Sequence, residues 1–321
     1  MKRCLITGVS GFLGSHLAEF LLQEGWDVAG TVRRDSRDLT GIRDSLGLFS
    51  CDILDRKAMK AALTSVRPDV IFHLAAQSSP SLSWKDPETT FTVNIQGTLS
   101  LLEAIRHTGL TPLVLVASSS AVYGVSSPEE IPIDEARPLR PLSPYGVSKA
   151  AVELLANMYH SAYAMKIIRV RPFLIVGARK TGDACSDFAR GIVEIERGER
   201  RCLKVGTLEA VRDFLDVRDG VAALSLLAEK GQPGEAYNLC SGVGRKVGEI
   251  LDALVSMAAI SVPVERDPAR SRLSDEPVMV GDNAKLRALG WEPRIPTRKS
   301  LEDILTYWRC AQSTATSEAT I

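Results

Sequence analysis

Tyr145 and Lys149 stand four residues apart, directly behind Ser143 and Pro144. Serine is a favoured N-cap and proline is tolerated in a first helical turn, so a helix is predicted to begin here. Residues i and i+4 share a helix face, which brings the ammonium toward the phenol. That pairing has a chemical use. A free tyrosine titrates at about pH 10, too high for fast proton transfer at neutrality. A neighbouring cation and the positive helix end both favour phenolate. Lowering the pKa by roughly 3 units takes about 4 kcal/mol of differential stabilisation, within reach of a desolvated cation. Upstream, an apolar run over 113–117 ends in Ser118-Ser119-Ser120, any of which can offer a hydroxyl to a reacting carbonyl oxygen. Together these groups are suited to moving a proton to or from such an oxygen.

The elements that must position them start at the N-terminus. An apolar strand (4–6) runs into Thr7-Gly8-Val9-Ser10-Gly11-Phe12-Leu13-Gly14, then a helical pattern, a stop at Gly25 and a second strand over 26–32. Strand, glycine turn, helix and strand make a dinucleotide-binding βαβ unit. Gly8 serves the tight turn, Gly11 lets the backbone approach a pyrophosphate, and Gly14 lets helix pack on strand. The first-turn amides then face an anion that the helix dipole favours. At the tip of the second strand the chain reads Arg33-Arg34, with an acid only at Asp35. Two guanidiniums suit a ribose 2′-phosphate, so NADP is expected over NAD. A third strand (48–51) leads to Asp52-Ile53, an edge for the adenine ring. Asp55 is expected to cap a helix to Ser65, before a strand over 70–73. Leu74-Ala75-Ala76 then lie at a strand's carboxyl end, where open α/β sheets bind ligands. Residues 78–86 are expected to form a polar loop over the crevice, and 90–107 one long helix. Strands and helices go on alternating; only the tail from Ala311 reads as frayed.

The bulk composition narrows the class. Of 321 residues 45% are hydrophobic and 24% charged, with 39 Lys+Arg against 39 Asp+Glu. That balance gives no reason to expect a nucleic-acid partner. No apolar run approaches a membrane span, and no signal peptide is visible. Six scattered cysteines without a CxxC pair read as reduced thiols of a cytoplasmic protein. The four histidines (16, 73, 107, 160) lack ligand spacing, so no metal is expected.

With the glycine turn, the serine strand end and Tyr145-Gly-Val-Ser-Lys149 in this order, the chain resembles the extended short-chain dehydrogenase/reductase family, in its nucleotide-sugar branch. The resemblance covers nearly the whole chain. It implies an α/β fold, a Rossmann-type doubly wound parallel sheet with a smaller, discontinuous substrate domain. The expected division is 1–172 with 214–240 for the dinucleotide, and 173–213 with 241–321 for the nucleotide sugar. It also implies roles. Tyr145 is the acid/base, Lys149 holds the nicotinamide ribose and lowers the tyrosine pKa, and Ser119, four before Tyr123, polarises the substrate. Gly8, Ser10, Gly11, Phe12, Leu13, Gly14, Arg33, Arg34, Asp52, Ile53, Leu74, Ala75 and Ala76 complete the expected cofactor site.

Reduction, epimerisation and 4,6-dehydration share this apparatus. Dehydratases of the branch carry an acid just after the serine or threonine; here Ser120 and Ala121 follow, which disfavours dehydration. An NADP site suits a cofactor that arrives reduced and leaves oxidised, so reduction leads, with a 4-epimerase retaining NAD as the alternative and an NADP-sensing protein as a third. Residues 203–214 resemble the GDP-sugar reductase subgroup, which implies a GDP-sugar substrate held by Arg212, Arg272 and Val205. The alternative for Arg212 is a core ion pair with Asp213 or Asp216. One departure stands out: after Arg171-Pro172-Phe173 comes Leu174, where the family usually has asparagine. The resemblance further implies a homodimer through the helices starting near Thr90 and Tyr145, with Leu102 and Leu155 as test positions.

Overall fold

The computed structural model describes residues 1–33, 39–268 and 276–317, with side chains described up to Ala311. In chain order the first elements are β1 (Arg3–Thr7), α1 (Phe12–Gln23), β2 (Asp27–Val32), β3 (Gly47–Ser50), α2 (Arg56–Val66) and β4 (Val70–His73). Next come α3 (Pro80–Lys85), α4 (Pro87–Phe91), a π turn (Thr92–Gln96), α5 (Gly97–Thr108), β5 (Leu113–Ala117), α6 (Pro144–Tyr163) and β6 (Ile167–Pro172). The chain continues with β7 (Leu174–Val176), α7 (Ala184–Glu196), β8 (Leu203–Val205), β9 (Val211–Asp216), α8 (Val217–Lys230) and β10 (Ala236–Leu239). It closes with β11 (Gly244–Lys246), α9 (Val247–Val255), β12 (Val264–Arg266), β13 (Val278–Met279), α10 (Ala284–Ala288) and α11 (Thr297–Ser317).

Seven strands form one sheet in the order β10-β6-β5-β4-β1-β2-β3, every pairing in it parallel. Side chains alternate across it, as the pleat requires. Cys4, Ile6 and Phe72 pack with α1 and α8 on one face. Leu5, Ile71, Val114 and Val116 pack with α2, α5 and α6 on the other. The result is a doubly wound three-layer sandwich, whose strand order reverses between β1 and β4. A smaller sheet is built on β9, which pairs antiparallel with β11 and parallel with β13 and β7. Its core joins α7, α9 and α11.

Local chemistry sets the boundaries. Asp55 accepts from the amides of Lys57 and Ala58 to cap α2, and Ser143 accepts from Gly146 to cap α6 behind Pro144. Three expectations need correction. Residues 80–85 are helical rather than loop, because Ser79 caps them through Leu82 N and Pro80 fits the first turn. The helix over 90–107 is interrupted by the π turn, where Asn94 spends its amide on the Gln77 backbone and on Ser148. The tail continues α11 to Ser317. Among the described residues no helix is long and apolar enough to cross a membrane.

Candidate active site

The strand ends at the reversal of the sheet make the first half of the site. Gly8 has φ +72°, and a Cβ there would lie 2.9 Å from the Ala75 backbone; one at Gly14 would lie 2.4 Å from Gly8 O. Only glycine lets the turn, helix α1 and the Leu74-Ala75-Ala76 strand end close on one another. Asp55, Ser143, Asp183 and Asp216 cap α2, α6, α7 and α8 with their side chains, whereas Gly11 gives α1 no side-chain cap. The first amides of α1, from Phe12 and Leu13, are thus a donor set fitted to an anion such as a dinucleotide diphosphate. Thr7 Oγ1 accepts from Ala75 N at 3.2 Å, tying the two strand ends. Asp52 turns the chain after β3 through Leu54 N (2.9 Å), and Ile53 packs against Gly97. Ser10 is half-buried in the turn and Arg33 is exposed at the tip of β2; Arg34 lies outside the described residues.

The second half stands over the ends of β4 and β5. Of the three serines, Ser118 is buried and donates to Glu153 (2.5 Å), and Ser120 opens a short turn. Ser119 is the one whose side chain stands beside the buried Tyr145 phenol, close enough to pull its pKa down. Its oxygen also accepts from Ala121 N at 3.1 Å, which fixes the rotamer. Tyr145 N in turn donates to Ser83 of α3 (3.1 Å), so the unforeseen helix props the start of α6. Lys149 is buried, donates to Ala117 O at 2.7 Å and lies 6.0 Å from the Tyr145 ring centroid.

The electrostatics differ from the expected acidic tyrosine. Burial raises the Tyr145 pKa and the neighbouring Ser119 side chain only partly opposes it. Burial also lowers Lys149 to about 8, against the pull of Glu153. The physical reason is that both groups are desolvated and the ammonium is directed at a carbonyl oxygen rather than at the phenol. At neutrality the geometry therefore holds a protonated phenol with a serine and a cation beside it.

The expected substrate residues meet mixed outcomes. Arg212 on β9 donates to Val211 O and to Glu276 O (2.9 and 2.7 Å). Asp213 is taken up by Ser241 and Gly242, and Asp216 by Arg218. Val205 needs correction, since its side chain is 1% exposed within the core around α7 and α9. The strand alternates, so Lys204 points outward instead. Arg272 lies outside the described residues. What the sequence reading missed is the group packed beneath the site: Glu153, Arg171, Tyr123 and Asn238. One signal was available, because Glu153 extends the spacing of 145 and 149 by another four residues.

A parallel sheet with a glycine turn at its reversal, and serine, tyrosine and lysine gathered above the adjacent strand ends, define a Rossmann-type enzyme of the short-chain dehydrogenase/reductase class. The chain belongs to the GDP-mannose 4,6 dehydratase family, whose model matches residues 5–304. It is 33% identical to the GDP-6-deoxy-D-mannose reductase of Pseudomonas aeruginosa, over 96% of this chain and 97% of that protein. The fold is similar to the structure of RMD from Pseudomonas aeruginosa complexed with NADPH, with a TM-score of 0.83, 30% identity, and 96% and 99% of the two chains covered. It is also similar to the UDP-glucose 4-epimerase of Thermus thermophilus in complex with NAD, with a TM-score of 0.87, 31% identity, and 96% and 99% covered.

Proposed function

We propose that the protein reduces the C4 ketone of a GDP-4-keto-6-deoxyhexose with NADPH. The observation that carries this reading is the gathering of Ser119 and Lys149 beside the buried Tyr145 phenol, with Ser120 and Ala121 where a dehydratase carries its acid. A ketone being reduced must gain a proton on oxygen, and a buried neutral phenol is a proton donor. NADPH supplies the hydride. Gly8, Gly11 and Gly14 with the first amides of α1 hold its diphosphate, and Arg33, with Arg34, takes the 2′-phosphate. Asp52 and Ile53 border the adenine, and Leu74 to Ala76 line the crevice. Lys149 binds the nicotinamide ribose and sets a positive field beside Tyr145. Ser119 donates to the ketone oxygen, so the charge that develops there meets two fixed donors that need no reorganisation. Arg212, with Arg272, holds the sugar diphosphate.

The similarity to a GDP-6-deoxy-D-mannose reductase and to an NADPH complex supports this reading. The likeness to an NAD-bound epimerase favours a second one, a 4-epimerase that retains its cofactor. Incubation with GDP-4-keto-6-deoxymannose and NADPH separates the two. Loss of NADPH absorbance with one deoxyhexose product by NMR is expected. No consumption, with NAD retained through purification, would turn the assignment to epimerase. A homodimer through α5 and α6 is part of the proposal. Leu102 is 0% exposed and so belongs to the core, whereas Val147, Leu154 and Met158 lie along one outward face of α6.

A further inference from the structure

Beneath the serine–tyrosine–lysine cluster lies a buried group of charges that the proposed reaction does not itself use. Glu153 sits one turn past Lys149 on α6 and is 1% exposed. Its carboxylate accepts from Ser118 Oγ (2.5 Å), from Arg171 Nε (2.9 and 3.1 Å) and from Arg171 Nη2 (2.7 Å). Arg171 Nη1 donates to Tyr123 Oη (2.8 Å) and to Glu135 O (2.9 Å). The Tyr123 hydroxyl donates to Asn238 Oδ1 (2.6 Å) and Asn238 Nδ2 donates to Ile133 O (2.8 Å). A buried ion pair is weak ground for stability, since desolvation offsets its attraction. A fully bonded buried network does fix geometry.

Two of its contacts reach the reacting groups. Ser118 and Ser119 are consecutive, and Ser119 is extended at φ −167° and ψ 153°. Holding Ser118 on Glu153 therefore pins the strand end that sets where Ser119 stands beside Tyr145. The second contact is electrostatic, because the Glu153 charge faces Lys149 across one helical turn. The other titratable groups around Lys149 are Tyr145 on its own helix, Arg171 on β6 behind Glu153, and His73 at the end of β4. Burial keeps His73 neutral, so Glu153 is the anion that balances the ammonium.

We infer that Glu153 is a positioning residue, whose carboxylate keeps Lys149 cationic and, through Ser118, sets where Ser119 stands beside Tyr145. This rests on the reading of Tyr145 and Lys149 given above. Glu153→Gln keeps the shape and an acceptor but removes the charge. Ser118→Ala keeps the charge but removes the tether. In E153Q the titration of Lys149, followed by 13C NMR of ε-labelled lysine and assigned with Lys149→Met, is expected to fall by about one pH unit or more. The alkaline limb of kcat should move with it. In S118A kcat should fall about tenfold through misplacement of Ser119, with the limb unmoved. E153Q leaves Arg171 without its counter-charge in the interior; should it not fold, the pair E153Q and R171Q removes both charges and is read in the same way, with a smaller downward shift. An unmoved Lys149 titration in the folded variant overturns the inference, as does lost activity with an unchanged pH profile. The NMR titration needs no substrate, so failure of the wild type to reduce a keto sugar would refute the proposed reaction and leave this result standing by itself.

Discussion

His73 gives the sharpest thermodynamic test of how the strand ends are assembled. It closes β4 at 4% exposure, with Nδ1 2.8 Å from Thr7 Oγ1 and Nε2 3.0 Å from Thr98 Oγ1. The Thr98 hydroxyl spends its one proton on Asn94 O (2.6 Å), so toward His73 it accepts and Nε2 carries the hydrogen. Nδ1 then accepts from Thr7, the residue that also receives Ala75 N. Burial, and secondarily the charge of Lys149, push the imidazole down to about 3. In the unfolded chain it titrates at about 6.5. The unfolded state therefore takes up a proton that the folded state refuses. The resulting stability is fully present above about pH 6.5 and is lost as pH falls toward the folded value. From about pH 7.5 to about pH 5 this one residue should cost the fold about 2 kcal/mol. Urea unfolding at both pH values, for wild type and His73→Gln, measures it. Glutamine keeps a donor and an acceptor without titrating, so the wild type should lose about 2 kcal/mol more than the variant over that interval. Equal losses would refute the assignment of a buried neutral imidazole.

Tyr145→Phe should lower kcat by a factor on the order of a hundred to ten thousand while NADPH affinity stays near wild type; joint loss in a binding titration would mark a structural role. Arg33→Ser should raise the KM for NADPH by about tenfold and leave that for NADH nearly unchanged, reflecting one lost charge-assisted hydrogen bond to the 2′-phosphate. Leu154→Glu places a charge on the outward face of α6 and should convert a dimer to a monomer in sizing chromatography. A wild-type protein that already elutes as a monomer would sink the dimer proposal.

Much of the scaffold was legible along the chain because its signals are local. Val70–His73 and Leu113–Ala117 are apolar runs with clear ends, and both strands appear at those bounds. Asp55 and Ser143 announced their helices because a cap needs only the next three residues. The i, i+4 spacing put Tyr145 and Lys149 on one face for the same reason. Polar spacing misled where a capped proline turn made a helix of 80–85, and where Asn94 opened α4 and α5 into a π turn.

What the sequence by itself determined was which groups could do chemistry and on which elements they ride. Tertiary structure decided their state. The choice among Ser118, Ser119 and Ser120 depends on a glutamate thirty-five residues further on, and the protonation of Tyr145 and Lys149 depends on burial. Hydrogen-bonding capacity and helical spacing are properties of residues and short segments. Desolvation and the field at a given atom come from everything packed around it, and no stretch of the chain contains that sum.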